Sequence, residues 1–90
     1  METNAAIRAL AALAQESRLA VYRLLVVAGP AGRSAGDIAE TLGIAPATLS
    51  FHLSQLANAG LVRSRQESRF VFYSADFTAM NDLVGFLTEN

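Results

Sequence analysis

Residues 46–58 carry a cluster of small polar side chains and one carboxamide, in a segment that begins with proline. Hydroxyl groups of this size can bond phosphate oxygens or base edges, and the Gln55 carboxamide matches the donor and acceptor of an adenine edge. The Phe51 ring would either touch a thymine methyl group or pack against a neighbouring hairpin, and both interpretations stay open. The alternative for the whole segment is a solvated helix surface. The candidate DNA contacts in this segment are Ala47, Thr48, Ser50, Phe51, His52, Ser54 and Gln55.

His52 is the single histidine of the chain. Its ring can donate to a phosphate, or it can bond a nearby backbone group and fix the helix, and we favour the structural role. Zinc takes several nitrogen, sulfur or oxygen ligands, and the chain contains no cysteine. We therefore expect no metal site at this residue.

Three arginines fall close together in a segment whose residues alternate as in a β-hairpin, and the chain has no lysine. Alternation places Arg63 and Arg65 on one face, where both guanidinium groups can reach the minor groove or its phosphates. Arg69 follows at the start of the next strand. The alternative is a solvated hairpin with a weak contact between an arginine and Glu67. We favour the DNA contact, because the cations are concentrated in this hairpin.

The formal net charge is −1, which argues against an indiscriminate nucleic-acid binder. The acids lie mostly away from the hairpin, and they include Asp76, Asp82 and Glu89 near the C-terminus. A basic hairpin on an acidic body predicts selective, salt-sensitive DNA binding. No glycine-rich phosphate loop and no nucleophile–histidine–acid set is present, so we do not expect an enzyme.

The first half of the chain predicts three helices. Thr3 or Asn4 can cap the first, whose apolar face contains Ile7, Leu10, Ala11 and Ala14. The second runs over about residues 17–28 and ends at the Gly-Pro pair 29–30. Ser34 and Asp37 resemble a capping box that opens a third helix ending at Gly43. The expected buried positions of the second helix include Leu19, Leu24 and Val27.

The second half predicts a helix, a hairpin and a last helix. Pro46 suits the first turn of the fourth helix, and an inward leucine stripe follows at positions 49, 53 and 56. Residues 61–66 and 69–74 read as strands with a turn near Glu67 and Ser68. Asp76 is a suitable N-cap for a helix over about residues 77–88. The fold class is mainly α with a β-hairpin, the layout of a single winged helix-turn-helix domain for DNA binding and dimerisation over residues 1–90.

The chain has 90 residues and a hydrophobic fraction of 52%, which is high for so small a domain. A domain of this size buries a limited share of its surface, so we expect the first and last helices to form a homodimer. No apolar run is long enough to span a membrane and the start does not resemble a signal peptide, so we expect a soluble, cytoplasmic protein. The candidate dimer-interface residues are Ile7, Leu10, Ala14, Met80, Leu83, Val84 and Leu87.

Three segments, AALAQESRLAVYRLL (11–25), AGDIAETLGIAPATLSFHLSQLANAGLV (35–62) and RSRQESRFVFYS (63–74), resemble the ArsR/SmtB family of bacterial metalloregulatory repressors. The resemblance covers nearly the whole chain. It implies a homodimer built on the first and last helices that represses its own operon by binding an inverted repeat. It also implies that the fourth helix recognises DNA, that the hairpin is the wing, and that a metal or metalloid releases the DNA.

Two departures from the family pattern bear on function. Ser68 occupies the wing-tip position that usually carries glycine. The sensing cysteines are absent from the start of the third helix, where residues 33–36 read RSAG, and the last helix has no histidine.

Three explanations of the missing sensing residues stay open. The cysteines that bind arsenic(III) or another metal would follow on a tail beyond Asn90, the member would sense no metal, or the last helix would hold an all-oxygen site. No cofactor is expected within residues 1–90. A winged-helix module for protein interaction, or a regulator without metal sensing, is the alternative function.

Overall fold

Five helices and a three-stranded antiparallel sheet make up the computed structural model, which describes residues 1–89. The observed order confirms the predicted fold class, and one short strand is added between the second and third helices. The elements are α1 (Thr3–Leu13), α2 (Glu16–Ala28), a 3-10 turn (Gly29–Ala31), β1 (Arg33–Ser34), α3 (Ala35–Leu42), α4 (Pro46–Asn58), β2 (Val62–Glu67), β3 (Phe70–Ala75) and α5 (Phe77–Thr88).

The first two helices begin slightly earlier than predicted, because longer side chains cap them. The Glu2 carboxylate accepts from the backbone N–H groups of Asn4 and Ala5, so neither Thr3 nor Asn4 is the cap. Gln15 Oε1 accepts from the Arg18 N–H at 2.8 Å and starts α2. In both cases an acceptor satisfies N–H groups that have no partner inside the helix.

The helix-turn-helix forms as the sequence predicts. Ser34 Oγ accepts from the Asp37 N–H at 3.2 Å and opens α3. Gly43 ends that helix in the left-handed region with a φ of +65°, and Pro46 takes the first turn of α4. The inward stripe of α4 is also confirmed, since Leu49, Leu53 and Leu56 are each at most 2% exposed.

β1 was not predicted, because two residues show no period. The sheet order is β1-β3-β2, and β1 pairs Arg33 with Tyr73 and Ser34 with Phe72. Gly32 precedes this pairing with a φ of +70°, and a Cβ there would lie 2.1 Å from the Tyr73 carbonyl oxygen. β3 therefore passes too close to Gly32 for any side chain.

β2 and β3 form the predicted hairpin, with the turn one residue later than expected, at Ser68 and Arg69. Ser68 has a φ of +59°, in the region that favours glycine, as at the first central position of a type II′ turn. At its base the hairpin closes through the Asp76 N–H, which donates to the Leu61 carbonyl at 2.8 Å.

The predicted burial was wrong for part of α2, and the apolar face of α1 points away from the protomer core. In α1 the predicted face, Ile7, Leu10, Ala11 and Ala14, is exposed. A row of alanines packs inward in its place, because small side chains let α1 approach the core closely. In α2, Leu19 is 44% and Val27 86% exposed. The residues that these two helices bury are Ala6, Ala9, Ala12, Val21, Tyr22 and Leu25.

Candidate nucleic-acid interface

The outer surface of α4 presents the predicted small polar side chains to solvent. Phe51 is 57% exposed, and its ring and the His52 ring are inclined at 60° with centroids 5.9 Å apart. The leucine stripe on the opposite side anchors the helix to the core. This surface can approach a DNA backbone closely, because few of its side chains are bulky. The exposed candidates are Ala47, Thr48, Ser50, Phe51, Ser54 and Gln55.

His52 does not belong to the exposed surface, and its prediction as a DNA contact is corrected. The side chain is 8% exposed, and its Nδ1 is buried without a hydrogen-bond partner in the described part of the chain. The reason is spacing: His52 follows Leu49 by three residues and precedes Leu56 by four, so it shares their face. The burial is that of a structural residue, but the predicted hydrogen bond from the ring to a backbone group does not form among the described residues.

Arg63 and Arg65 engage other parts of the protein. Arg63 Nε donates to Asp76 Oδ2 at 3.2 Å. The Arg65 guanidinium lies 5.0 Å from the centre of the Phe72 ring and donates both to Glu67 and to the Ala31 carbonyl. The Arg–Glu67 contact of the alternative interpretation therefore forms, and both arginines help to hold the hairpin on the body.

Arg69 differs from the other two hairpin arginines. It lies exposed in the turn beside Ser68, and its guanidinium makes no hydrogen bond or ion pair with any of residues 1–89. Phe70 next to it is 55% exposed. The tip of the wing thus carries an available cation, which is the group that a phosphate attracts.

An ion pair fixes the start of α3. Arg33 donates to Asp37 through Nε at 2.6 Å and through an Nη at 3.0 Å, and also to Thr41 Oγ1 at 2.8 Å. These bonds hold the pKa of the Asp37 carboxyl below its usual value and raise the pKa of Arg33. The region in which the family resemblance places sensing cysteines is here a bidentate arginine–aspartate contact.

Within residues 1–89, no three histidine, cysteine, aspartate or glutamate side chains lie close enough to hold a metal ion. Separately, none of the helices over those residues is both long and apolar enough to cross a membrane.

An apolar surface remains uncovered on α1 and α5. Ile7 is 56%, Leu10 41%, Val84 53% and Leu87 55% exposed. Ala14 is also exposed, and Met80 is half-buried against the core.

One predicted interface residue is corrected. Leu83 is only 6% exposed, because it shares the inward face of α5 with Ala79 and Phe86.

Asp76 links the hairpin to α5. Its Oδ1 accepts from the Ala79 N–H at 3.0 Å, and its other oxygen accepts from Arg63. These bonds hold the pKa of the Asp76 carboxyl below its ordinary value, and the bond from the Ala79 N–H has the largest effect. Burial and the nearby Asp76 charge raise the pKa of the Tyr22 hydroxyl.

Asp76→Ala is expected to lower the free energy of unfolding at pH 7 by about 1 kcal/mol, because α5 loses its N-cap acceptor. The folded pKa lies below the unfolded value of about 3.9, so this contribution is present above that pH. It disappears as the pH falls through the folded pKa. Urea unfolding of both proteins at pH 7 and at about pH 2.5 should therefore give converging stabilities at acid pH.

The control for this experiment is Asp82→Ala, an exposed carboxylate on the same helix that makes no hydrogen bond within the described residues. We expect it to change stability little at either pH. An Asp76→Ala deficit of equal size at both pH values would contradict a charge-dependent cap.

The turn between α3 and α4, the hairpin after α4 and the exposed polar surface define a winged helix-turn-helix domain. The family described as a helix-turn-helix domain matches residues 13–65. The chain belongs to the ArsR-like family of winged helix-turn-helix transcriptional regulators.

Relatives in three bacteria illustrate the similarity. The chain is 40% identical over 77 residues to the uncharacterized HTH-type transcriptional regulator YceK of Bacillus subtilis, covering 84% of this chain and 76% of YceK. The structure of an ArsR-like transcriptional regulator from Rhodococcus sp. RHA1 matches with a TM-score of 0.82 and 28% identity, covering 93% of this chain and 76% of that one. Mb0332 from Mycobacterium bovis, described as a homodimeric winged helix-turn-helix DNA-binding domain, matches with a TM-score of 0.76 and 29% identity, over 96% and 80% of the two chains.

Proposed function

We propose that the protein is a homodimeric repressor that inserts α4 into the major groove at each half of an inverted-repeat operator. One observation carries this proposal: the outer surface of α4 is a continuous row of small polar side chains around an exposed Phe51. These groups match phosphate oxygens, base edges and the thymine methyl group. The wing tip adds Arg69 as a phosphate or minor-groove contact.

The homodimer is supported by the uncovered apolar surface of α1 and α5. Large side chains such as Ile7 and Leu87 are more than half exposed in the protomer, and a contiguous patch of this kind typically marks an interface. The similarity to the homodimeric Mb0332 points the same way. Two-fold symmetry would place the half-sites about 34 Å apart, one turn of DNA.

Repression is supported by the resemblance to the ArsR/SmtB repressors, and it requires only that the bound dimer cover promoter DNA. A reporter fused to the promoter of the protein's own gene tests whether the protein represses or activates transcription. Deleting the gene should raise reporter expression, and restoring it should lower expression again. A fall in expression after deletion would mean activation.

Direct binding is tested by fluorescence anisotropy with the duplex upstream of the gene and a scrambled duplex, at about 50 and 200 mM salt. We expect tighter and salt-sensitive binding to the native duplex. Equal or absent binding to both duplexes would favour the second candidate, a winged-helix module for protein interaction. The exposed apolar surface of α1 and α5 and the net charge of −1 are compatible with that candidate.

Arg69→Gln is expected to flatten the dependence of log Kd on log salt by about 2. Each phosphate contact contributes about 0.9 to this slope, and the dimer loses two contacts. The loss should be similar on native and scrambled duplexes, because a phosphate carries no sequence information. The measurement is the slope between about 50 and 200 mM salt.

Arg23→Gln is the matched control, since Arg23 is exposed on α2 and has no ion-pair partner in the described chain. It should leave the slope nearly unchanged. If Arg69→Gln leaves the slope of log Kd against log salt unchanged, the wing tip does not contact DNA phosphates.

We also propose that a metal or metalloid inducer, arsenic(III) in the first instance, acts through cysteines outside residues 1–90. The resemblance to metalloregulatory repressors supports this, and arsenic(III) prefers thiolate ligands, which these residues lack. A protein comprising residues 1–90 should therefore remain bound to its operator when arsenite is added to about 1 mM. Release of the labelled operator by arsenite from that protein would contradict the placement of the inducer.

A further inference from the structure

A positively lined cleft lies between α1, the start of α2 and the C-terminal half of α4. Its volume is about 320 Å³, and three alanines form its remaining walls. This volume is at the lower end of the range for small-molecule sites. The polar residues that line the cleft are Arg8, Arg18, Gln55 and Asn58.

Arg18 is held in place by the protein backbone. Its Nε donates to the Ala12 carbonyl at 2.7 Å, and its own N–H is bound by the Gln15 side chain. The two Nη groups make no hydrogen bond to any residue that the structure describes. The bond at Nε also occupies the Ala12 carbonyl, whose partial negative charge would otherwise repel an anion.

The cleft contains no carboxylate to neutralise its arginines. Elsewhere in the protein Arg33, Arg63 and Arg65 each pair with an acidic side chain. Among residues 1–89, neither Arg8 nor Arg18 has such a partner. The cleft thus presents two guanidinium groups to an occupant.

The donors that line the cleft select the class of ligand. Guanidinium groups only donate hydrogen bonds, and their planar fork matches the paired oxygens of a carboxylate or phosphate. The carboxamides of Gln55 and Asn58 add further N–H donors. A neutral apolar ligand would leave these groups without partners, at a cost in binding free energy.

We propose that this cleft binds a small free oxyanion, a carboxylate or a phosphate group, between Arg8 and Arg18. The regulatory part of this inference rests on the proposed function. Gln55 belongs both to the cleft and to the exposed surface of α4, so a bound anion adds negative charge beside the DNA-contacting helix. Repulsion of the DNA phosphates then weakens operator binding.

NMR titration of the uniformly 15N-labelled dimer tests the binding site without DNA. The probes are inorganic phosphate and citrate, each added at constant ionic strength against sodium chloride. At least one probe should shift the amide signals of Ala12 and Asn58 in a saturable manner. Arg8→Gln should weaken that binding at least tenfold, whereas Arg23→Gln, outside the cleft, should leave it unchanged.

Arg8 is the better test residue, because Arg18→Gln also removes the bond to the Ala12 carbonyl and can unfold the protein. Shifts that are absent for both probes, that do not saturate, or that are equal in Arg8→Gln would overturn the proposal. Because the titration contains no DNA, it tests whether the cleft binds an anion even if the protein fails to bind an operator.

A second experiment distinguishes a free anion from a phosphate of the DNA backbone. The probe that binds should weaken operator binding by wild type about threefold or more at constant ionic strength, and should leave Arg8→Gln unaffected. If Arg8→Gln instead flattens the salt dependence of DNA binding in buffer without the probe, the cleft holds a DNA phosphate. That result would overturn the proposal of a free anion.

Discussion

Ile7→Glu is expected to convert the dimer to a monomer and to abolish stable operator binding. Ile7 is 56% exposed in the protomer, so the substitution leaves the protomer core intact. In a two-fold interface the new carboxylate appears twice and would be buried without a partner. Even a penalty of about 4 kcal/mol, in the range for an unpaired buried charge, raises the dimer Kd about 1,000-fold.

The loss of DNA binding follows from the loss of the dimer. A monomer holds one half-site, and it forfeits the 100-fold or greater gain that comes from linking two binding surfaces. Analytical ultracentrifugation gives the oligomeric state, and anisotropy on the native duplex gives the affinity. Circular dichroism of the variant should match that of wild type.

Val27→Glu provides the control for Ile7→Glu. Val27 is also a β-branched residue on a helix and is 86% exposed, but it lies on α2 and is not one of the predicted interface residues. We expect it to remain dimeric and to bind DNA as wild type does. Dissociation by Val27→Glu but not by Ile7→Glu would place the interface on α2.

Gly32→Ala is expected to cost more than about 4 kcal/mol in the free energy of unfolding. The added Cβ would lie 2.1 Å from the Tyr73 carbonyl oxygen, so β1 and β3 must separate. The backbone conformation, with φ +70° and ψ −166°, adds strain for any residue with a side chain. Urea unfolding at a fixed protein concentration measures the loss, because the proposed dimer would make stability depend on concentration.

Gly29→Ala isolates the contribution of that contact. Gly29 has nearly the same backbone, φ +75° and ψ −164°, but nothing lies within 4 Å of its added Cβ. It should cost about 2 kcal/mol, from backbone strain alone. Equal losses in the two variants would show that strain, and not the approach of Tyr73, requires glycine at position 32.

The element boundaries were predictable where single residues fix the backbone. Gly43 and Pro46 set the ends of α3 and the start of α4, because one adopts a positive φ and the other lacks an N–H. Ser34 and Asp76 cap their helices as expected. These are local effects, and the sequence alone contains them.

Burial was less predictable, because periodicity finds an apolar face without saying what covers it. In α1 the isoleucine and leucine stand outward and the alanines pack inward, the reverse of a ranking by hydrophobicity. The alanines occupy the buried face of α1 because small side chains permit close helix packing. His52 was predicted to contact DNA because it is polar, but its spacing from Leu49 places it on the buried face of α4.

Partners across long stretches of chain could not be predicted at all. Arg65 donates to the carbonyl of Ala31, a contact that depends on the 3-10 turn lying beside the hairpin. All three hairpin arginines were predicted to contact DNA, but ion pairs occupy Arg63 and Arg65 and leave only Arg69 without a partner among residues 1–89. The same reason hid the cleft at Arg8 and Arg18, whose walls come from three helices.

The hydrogen bond between the Asp76 N–H and the Leu61 carbonyl has a consequence for how such regulators diversify. The chain leaves and re-enters the body at this point, and the base of the hairpin is fixed there by core residues and by the pairing with β1, so its tip at residues 66–71 is the part free to change. Lengthening or shortening the wing at its tip alters its reach along the DNA without moving α4 relative to α5. On the proposed binding mode, the spacing of the two half-sites and the length of DNA that the wing contacts beyond them would therefore evolve independently.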